Sequence, residues 1–110
     1  MLRLSLHYGI HFILPIAVAF LFYKDRPGRA VLILLSAILI DIDHLFASPI
    51  FDPNRCSIDF HPLHTYWAMG IYTVFLFFKP TRIWGVGLLL HMLADWTDCL
   101  FIFQGAGMTP

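Results

Sequence analysis

The chain contains no glutamate, little charge of either sign and only two cysteines, and each shortage closes off a class of protein. Seven basic residues balance seven aspartates, so the formal net charge is zero. The scattered basic residues leave no electrostatic footprint for nucleic acid. Charged residues make up 13% of the 110 positions and hydrophobic residues 59%, more apolar surface than a water-soluble core of this size can hide. Internal repeats and low-complexity tracts are also missing, and the tail from Gln104 to Pro110 is small and polar, reading as a loose end. What remains is a single domain, residues 1–110, for which a bilayer is the natural solvent.

Four apolar runs are present, and a membrane-crossing helix needs ~20 mainly apolar residues. The first extends from about Leu4 to Tyr23 and closes on Lys24-Asp25-Arg26-Pro27-Gly28-Arg29, a basic turn with helix breakers. The second extends from about Ala30 to Ala47 and stops at Ser48-Pro49, before a polar connection containing Asp52-Pro53-Asn54-Arg55-Cys56. Pro62 suits the first position of a third helix capped by His61, which lasts to Phe78 and is short for a span. Lys79-Pro80 ends it. The fourth begins near Ile83 and ends near Phe103, with Gly85 and Gly87 offering close approach to a neighbour. The fold expected is an all-α integral membrane bundle of four transmembrane helices.

A cleaved signal peptide is the weaker reading of the first run, because His7 and His11 interrupt it and the stronger basic cluster follows it. Lys24, Arg26, Arg29, Lys79 and Arg82 fall on the first and third turns, and only Arg3 and Arg55 on the opposite face. Basic residues flanking spans are retained on the cytoplasmic side, so both termini and the long connection are expected outside it.

With alternating spans, all six histidines and most aspartates gather in one layer on that outer side. Residues three or four apart share a helix face, and His7/His11, Asp41/His44, His91/Asp95 and Asp95/Asp98 obey that spacing, with His61/His64 close to it. Four helices can aim such groups at one point, as ferritin-like metal bundles do. An ionisable group at the bilayer centre costs at least ~2.5–3.5 kcal/mol, and a divalent cation compensates several at once. The expected ligands are His7, His11, Asp41, His44, His61, His64, His91 and Asp95, around one or two ions. Imidazole with carboxylate favours zinc, and an oxygen-richer site manganese or iron.

Each element has a plainer reading. His11 alone is as well explained as a hydrogen-bonded packing residue, and the whole set as a polar network between helices. Asp43 faces a different side of an ideal α-helix from Asp41, which fits a role behind the ligands or as a catalytic base. Pro15 removes the helical hydrogen bond to the carbonyl of His11, giving a kink beside the cluster or an ordinary membrane-helix proline. Arg55 suits an anionic group or plain solvation. Cys56 and Cys99 both map to the outer side, where a disulfide and two free thiols are equally open. The aromatics of the third helix, Tyr66, Trp67, Tyr72, Phe75, Phe77 and Phe78, fit lipid and interface packing.

The order of motifs, an early His7, then Asp41-Ile42-Asp43-His44, then His61-Pro62-Leu63-His64-Thr65, then His91-Met92-Leu93-Ala94-Asp95, resembles the membrane-bound metal-dependent hydrolases that include LexA-regulated inner-membrane proteins of bacteria. The likeness spans nearly the whole chain. It departs in the third motif, where His61 and His64 are three apart instead of five and an Arg-Gly pair is missing. The late H-x-x-x-D helix is also weakly similar to zinc-dependent phospholipases C.

The resemblance implies a bacterial inner-membrane protein and metal-dependent hydrolysis. In that reading the metal lowers the pKa of water to ~7, Asp43 or Asp98 accepts its proton, and a phosphoester is attacked, with Arg55 receiving the phosphate. A phospholipid head group or lipid-linked phosphate is the expected substrate. The rivals are a non-catalytic metal protein for sensing, storage or transport, and a bis-His haem protein.

Overall fold

The computed structural model describes residues 2–48, 56, 58 and 60–105. Among these there is no strand, and the helical stretches join into four helices.

Helix α1 is a continuous rod made of an α-helical stretch Leu2–Tyr8, a π-helical turn Gly9–Ile13 and a second α-helical stretch Leu14–Phe22. The wide turn has a chemical cause. Pro15 has no N–H for the His11 carbonyl, and its ring would collide with that carbonyl in a regular α-helix. The backbone absorbs this by adding a residue to the preceding turn, so that the Leu14 N–H reaches back to the Gly9 carbonyl. Where the sequence left open a kink or an ordinary membrane-helix proline, the structure has a π-helical bulge. A turn over Lys24-Asp25-Arg26 leads into α2, where Pro27 occupies the first position.

Helix α2 is α-helical over Pro27–Leu35 and then winds as a 3-10 helix over Ser36–Phe46. Eleven residues is long for that geometry, which rarely persists beyond three or four. With three residues per turn, Asp41 and His44 stand directly above one another, while Ala37, Ile40 and Asp43 form the adjacent face toward the core.

A short 3-10 turn at Pro62–His64 precedes α3, Tyr66–Phe75. The cap of α3 is Thr65, whose hydroxyl accepts from the Ala68 N–H at 3.3 Å, and not His61, whose side chain makes no capping bond. The short hydroxyl reaches the helix's first orphan N–H groups; His61 lies a full 3-10 turn too early. Tyr72 is buried at 7% exposure and donates to the Leu63 carbonyl at 2.8 Å, pinning that turn to α3. It is a core residue rather than a lipid-facing one.

At ten residues α3 extends about 15 Å, half the hydrocarbon thickness of a bilayer. Its last carbonyls are satisfied from the next helix: Thr81 donates to Phe75 and Arg82 to Leu76. Helix α4, Lys79–Gly105, starts four residues before the expected position, because Pro80 in the first turn lacks only an N–H that would be orphaned anyway.

Helix α4 is the hub, packing against α1, α2 and α3. Two glycines set its spacing: a Cβ at Gly85 would lie 2.8 Å from the Tyr72 carbonyl oxygen, and one at Gly87 would lie 3.1 Å from Leu34 Cα. One core joins Ile58, Ala68, Tyr72, Met92 and Cys99; another joins Ala19, Ala30 and Leu34. Cys56 and Cys99 are disulfide-bonded with Cα atoms 4.9 Å apart, resolving the open choice between a bridge and free thiols. At the end of the bundle formed by the α1–α2 and α3–α4 turns, Lys24, Arg26, Arg29, Lys79 and Arg82 line an open groove of about 870 Å³.

Candidate metal centre

The residues spaced for ligation come together. His91 and Asp95, one turn apart on α4, face α1, the 3-10 part of α2 and the Pro62–His64 turn. His64 Nε2 lies 3.2 Å from His91 Nε2, 3.2 Å from Asp41 Oδ1 and 3.0 Å from Asp95 Oδ2. His91 Nε2 lies 3.0 Å from Asp41 Oδ1 and 3.3 Å from Asp95 Oδ2.

Five of the six edges of this four-atom figure therefore measure 3.0–3.3 Å. Ligand atoms held at about 2.0–2.1 Å around a tetrahedral ion stand roughly 3.3–3.4 Å apart. The figure has the dimensions of a coordination shell.

Hydrogen bonding alone leaves it unsatisfied. Asp95 Oδ2 is buried beside both imidazoles yet has no hydrogen bond of acceptable geometry. Were both rings protonated, two N–H groups would point at each other across 3.2 Å. A cation among the four atoms removes that conflict and compensates the two carboxylates.

Asp43 fixes the orientation of His64. Its carboxylate is 1% exposed and accepts from the Leu63 N–H at 2.9 Å and from His64 Nδ1 at 2.8 Å. Because a carboxylate can only accept, Nδ1 carries the proton, and in the neutral ring the lone pair of Nε2 faces the four-atom figure. Asp41 and Asp43 thus face opposite nitrogens of one ring. The 3-10 winding helps, since it brings them to about 120° of one another around the helix axis instead of the roughly 160° of an α-helix.

Two further groups flank the central one: His7, His11 and Asp95 on the α1 side, and Asp43, His44 and His61 on the other. His44 Nδ1 lies 3.2 Å from Asp43 Oδ1 and 3.0 Å from the Asp41 carbonyl, and its ring stacks on His61 with centroids 3.9 Å apart. His61 therefore parts from His64 and joins His44. All eight expected ligands fall within these groups, and Asp43 joins them as a ninth. Asp98 stands apart in a forked pair with Arg3, at 2.6 and 3.0 Å, which holds the guanidinium above its ordinary pKa through the hydrogen bond. Arg55 lies outside the described residues.

Asp43 stands behind a candidate ligand, one of the two roles its spacing offered, with His64 as the partner the sequence did not name. The sequence reading missed Tyr72 as the support of the turn that carries His64.

Fold and site together define a small all-helical protein with buried His/Asp clusters able to hold a metal ion. The chain belongs to the family of unknown function DUF6122, whose model matches residues 1–102. No curated protein and no solved structure matches it.

Proposed function

We propose that the chain is a membrane-embedded, metal-dependent hydrolase acting on a phosphoester, such as a phospholipid head group or a lipid-linked phosphate. The observation that carries it is the close convergence of His64, His91, Asp41 and Asp95 at 3.0–3.3 Å. Imidazole and carboxylate in this proportion suit zinc, with manganese or iron as the oxygen-tolerant alternatives. Divalent metal held within these His/Asp clusters would supply Lewis acidity, polarising a phosphoryl oxygen and acidifying water. Asp43 would keep the His64 ring aimed, while Asp41, whose side chain is 32% exposed, marks the side open to substrate.

Membrane residence is supported by two stretches long and apolar enough to cross, Ser5–Phe22 and Lys79–Ile102, with mean hydropathy 1.7 and 1.3. Large apolar side chains face outward along the bundle, among them Phe22 at 75%, Leu32 at 72%, Leu39 at 72%, Phe46 at 85% and Trp67 at 87% exposure. Helix α2 also reaches roughly 35 Å, because its 3-10 half rises ~2.0 Å per residue. Helix α3 is only half as long as the hydrocarbon is thick, which suits an arrangement of three spans and one half-span. The basic groove suits the cytoplasmic side, and the disulfide suits an oxidising compartment at the other end.

One observation favours a second reading, a metal site without chemistry. Four protein ligands close a tetrahedral shell, which is the habit of structural sites, whereas catalytic ones keep a position open. For haem, two carboxylates lie within 3.3 Å of both imidazole nitrogens, where a macrocycle would need room.

The deciding experiment joins elemental analysis of detergent-purified protein to a screen of phospholipids and generic phosphodiesters. Metal with turnover, both lost in His91→Ala and Asp95→Ala, supports the hydrolase. Metal without turnover against any such substrate leaves the non-catalytic site, and absence of metal overturns both.

A further inference from the structure

Asp95 is 6% exposed, and its two oxygens serve different neighbours. Oδ2 faces His64 Nε2 and His91 Nε2 at 3.0 and 3.3 Å, while Oδ1 faces His11 Nε2 at 3.6 Å. A carboxylate whose oxygens diverge toward two sets of imidazoles has the form of a bridge.

The second set is as enclosed as the first. His11 is 8% exposed, and its ring centroid lies 4.4 Å from those of both His7 and His91. His7 offers a buried Nδ1 with no hydrogen-bond partner. One ligand atom each from His7, His11 and Asp95 fall within 4.8 Å of one another. The 3.6 Å between His11 and Asp95 is spanned by two bonds of about 2.1–2.2 Å meeting near the tetrahedral angle.

Local backbone geometry places His11 at this point. It sits in the π-helical turn Gly9–Ile13, and such turns are concentrated at functional positions because the extra residue redirects one side chain. Pro15 enforces the turn, and the pair His7/His11 is thereby set against Asp95 instead of along the lipid face.

We infer that His7, His11 and Asp95 form a second divalent-metal site, joined to the Asp41/His64/His91/Asp95 site through the Asp95 carboxylate. The inference rests on the metal-binding reading above and assigns a different task to each half. The first half is saturated by four protein ligands. The second has three, so it alone retains open positions for water or a phosphoryl oxygen. Paired-ion centres of this kind recur in phosphoester hydrolysis. The Asp43/His44/His61 group is not a third site of the same kind, because both Asp43 oxygens are engaged, Oδ2 by His64 and the Leu63 N–H and Oδ1 by His44 Nδ1.

The test is a cobalt(II) titration of the metal-stripped, detergent-solubilised full chain, followed by ligand-field absorption, with bound cobalt counted by elemental analysis. Wild type is expected to take two equivalents, and the second should attenuate the paramagnetic resonance signal of the first through coupling across the carboxylate. His7→Ala/His11→Ala should take one, with the uncoupled signal retained at full loading. A single equivalent in wild type would overturn the second site while leaving the first intact; no cobalt at all would overturn both. Two equivalents retained in the double variant would also overturn the inference, since the second ion would then reside elsewhere. The wild-type stoichiometry needs no variant to fold, and His7→Gln provides a milder substitution expected to weaken only the second binding step.

Discussion

Asp43 and His64, twenty-one positions apart, are joined by a 2.8 Å hydrogen bond between a carboxylate 1% exposed and a ring nitrogen. The carboxylate does not need to touch a metal to matter for one. Asp43→Asn preserves volume but replaces an acceptor of two hydrogen bonds by a group with one acceptor oxygen and a competing donor. Metal affinity is expected to fall about 10–100-fold while helicity is unchanged, as for other partners of metal-bound histidines. Competition against a chromophoric zinc chelator measures it. An unaltered affinity would remove Asp43 from the site.

Asp98 invites the opposite expectation. Its forked pair with Arg3 is partly exposed, at 20% and 30%, so Asp98→Asn should cost no more than about 1 kcal/mol. Metal content should stay at the wild-type value. If metal is lost, the pair is coupled to the cluster after all; if metal stays but turnover stops, Asp98 is the proton acceptor.

Close packing of α4 gives a prediction independent of metal. Ala at Gly85 would press on the Tyr72 carbonyl and the Phe75 side chain at 2.8 and 2.9 Å, and overpacking of this kind costs ~1–3 kcal/mol. Ala at Gly70 on α3 meets nothing within 4 Å and should be neutral or stabilising by up to ~1 kcal/mol through helix propensity. Thermal unfolding of the two variants in one detergent should separate them clearly, with G85A the lower.

The Cys56–Cys99 bridge closes a loop across 43 positions, for which chain entropy alone predicts about 4 kcal/mol of stabilisation. Denatured wild type should show no reactive thiol until a reductant is added. The double variant Cys56→Ser/Cys99→Ser should unfold at a lower temperature and lose metal more readily, because the bridge ties the connection ahead of His64 to the helix that carries Asp95. Equal unfolding temperatures would show that the loop is already ordered without the bond.

Much of this was legible in the residues. The apolar runs marked the helices, and spacings of three and four marked the faces that converge, down to the pairing of His91 with Asp95. Prolines were harder, because one residue type acts in three ways here. Pro15 widens a turn, Pro27 opens a helix, and Pro80, which read as a terminator, sits inside a first turn. His61 looked like a cap by position, but the following 3-10 turn delays the helix to Tyr66 and passes that role to Thr65. Asp43 was legible as standing behind the ligands, but which ligand it supports, His64, depends on a contact between α2 and the Pro62–His64 turn. Such departures depend on how neighbouring helices compete for space, which a local spacing rule does not contain.

The tight winding of Ser36–Phe46 carries a mechanical implication. Relaxing that segment to an ordinary α-helix would shorten it by roughly 5 Å and swing His44 about 60° out of line with Asp41. The placement of Asp41 and Asp43 on either side of the His64 ring would be lost at the same moment. A metal ion held by Asp41 and His64 together would therefore oppose any change in the pitch of α2, much as a pawl holds a ratchet.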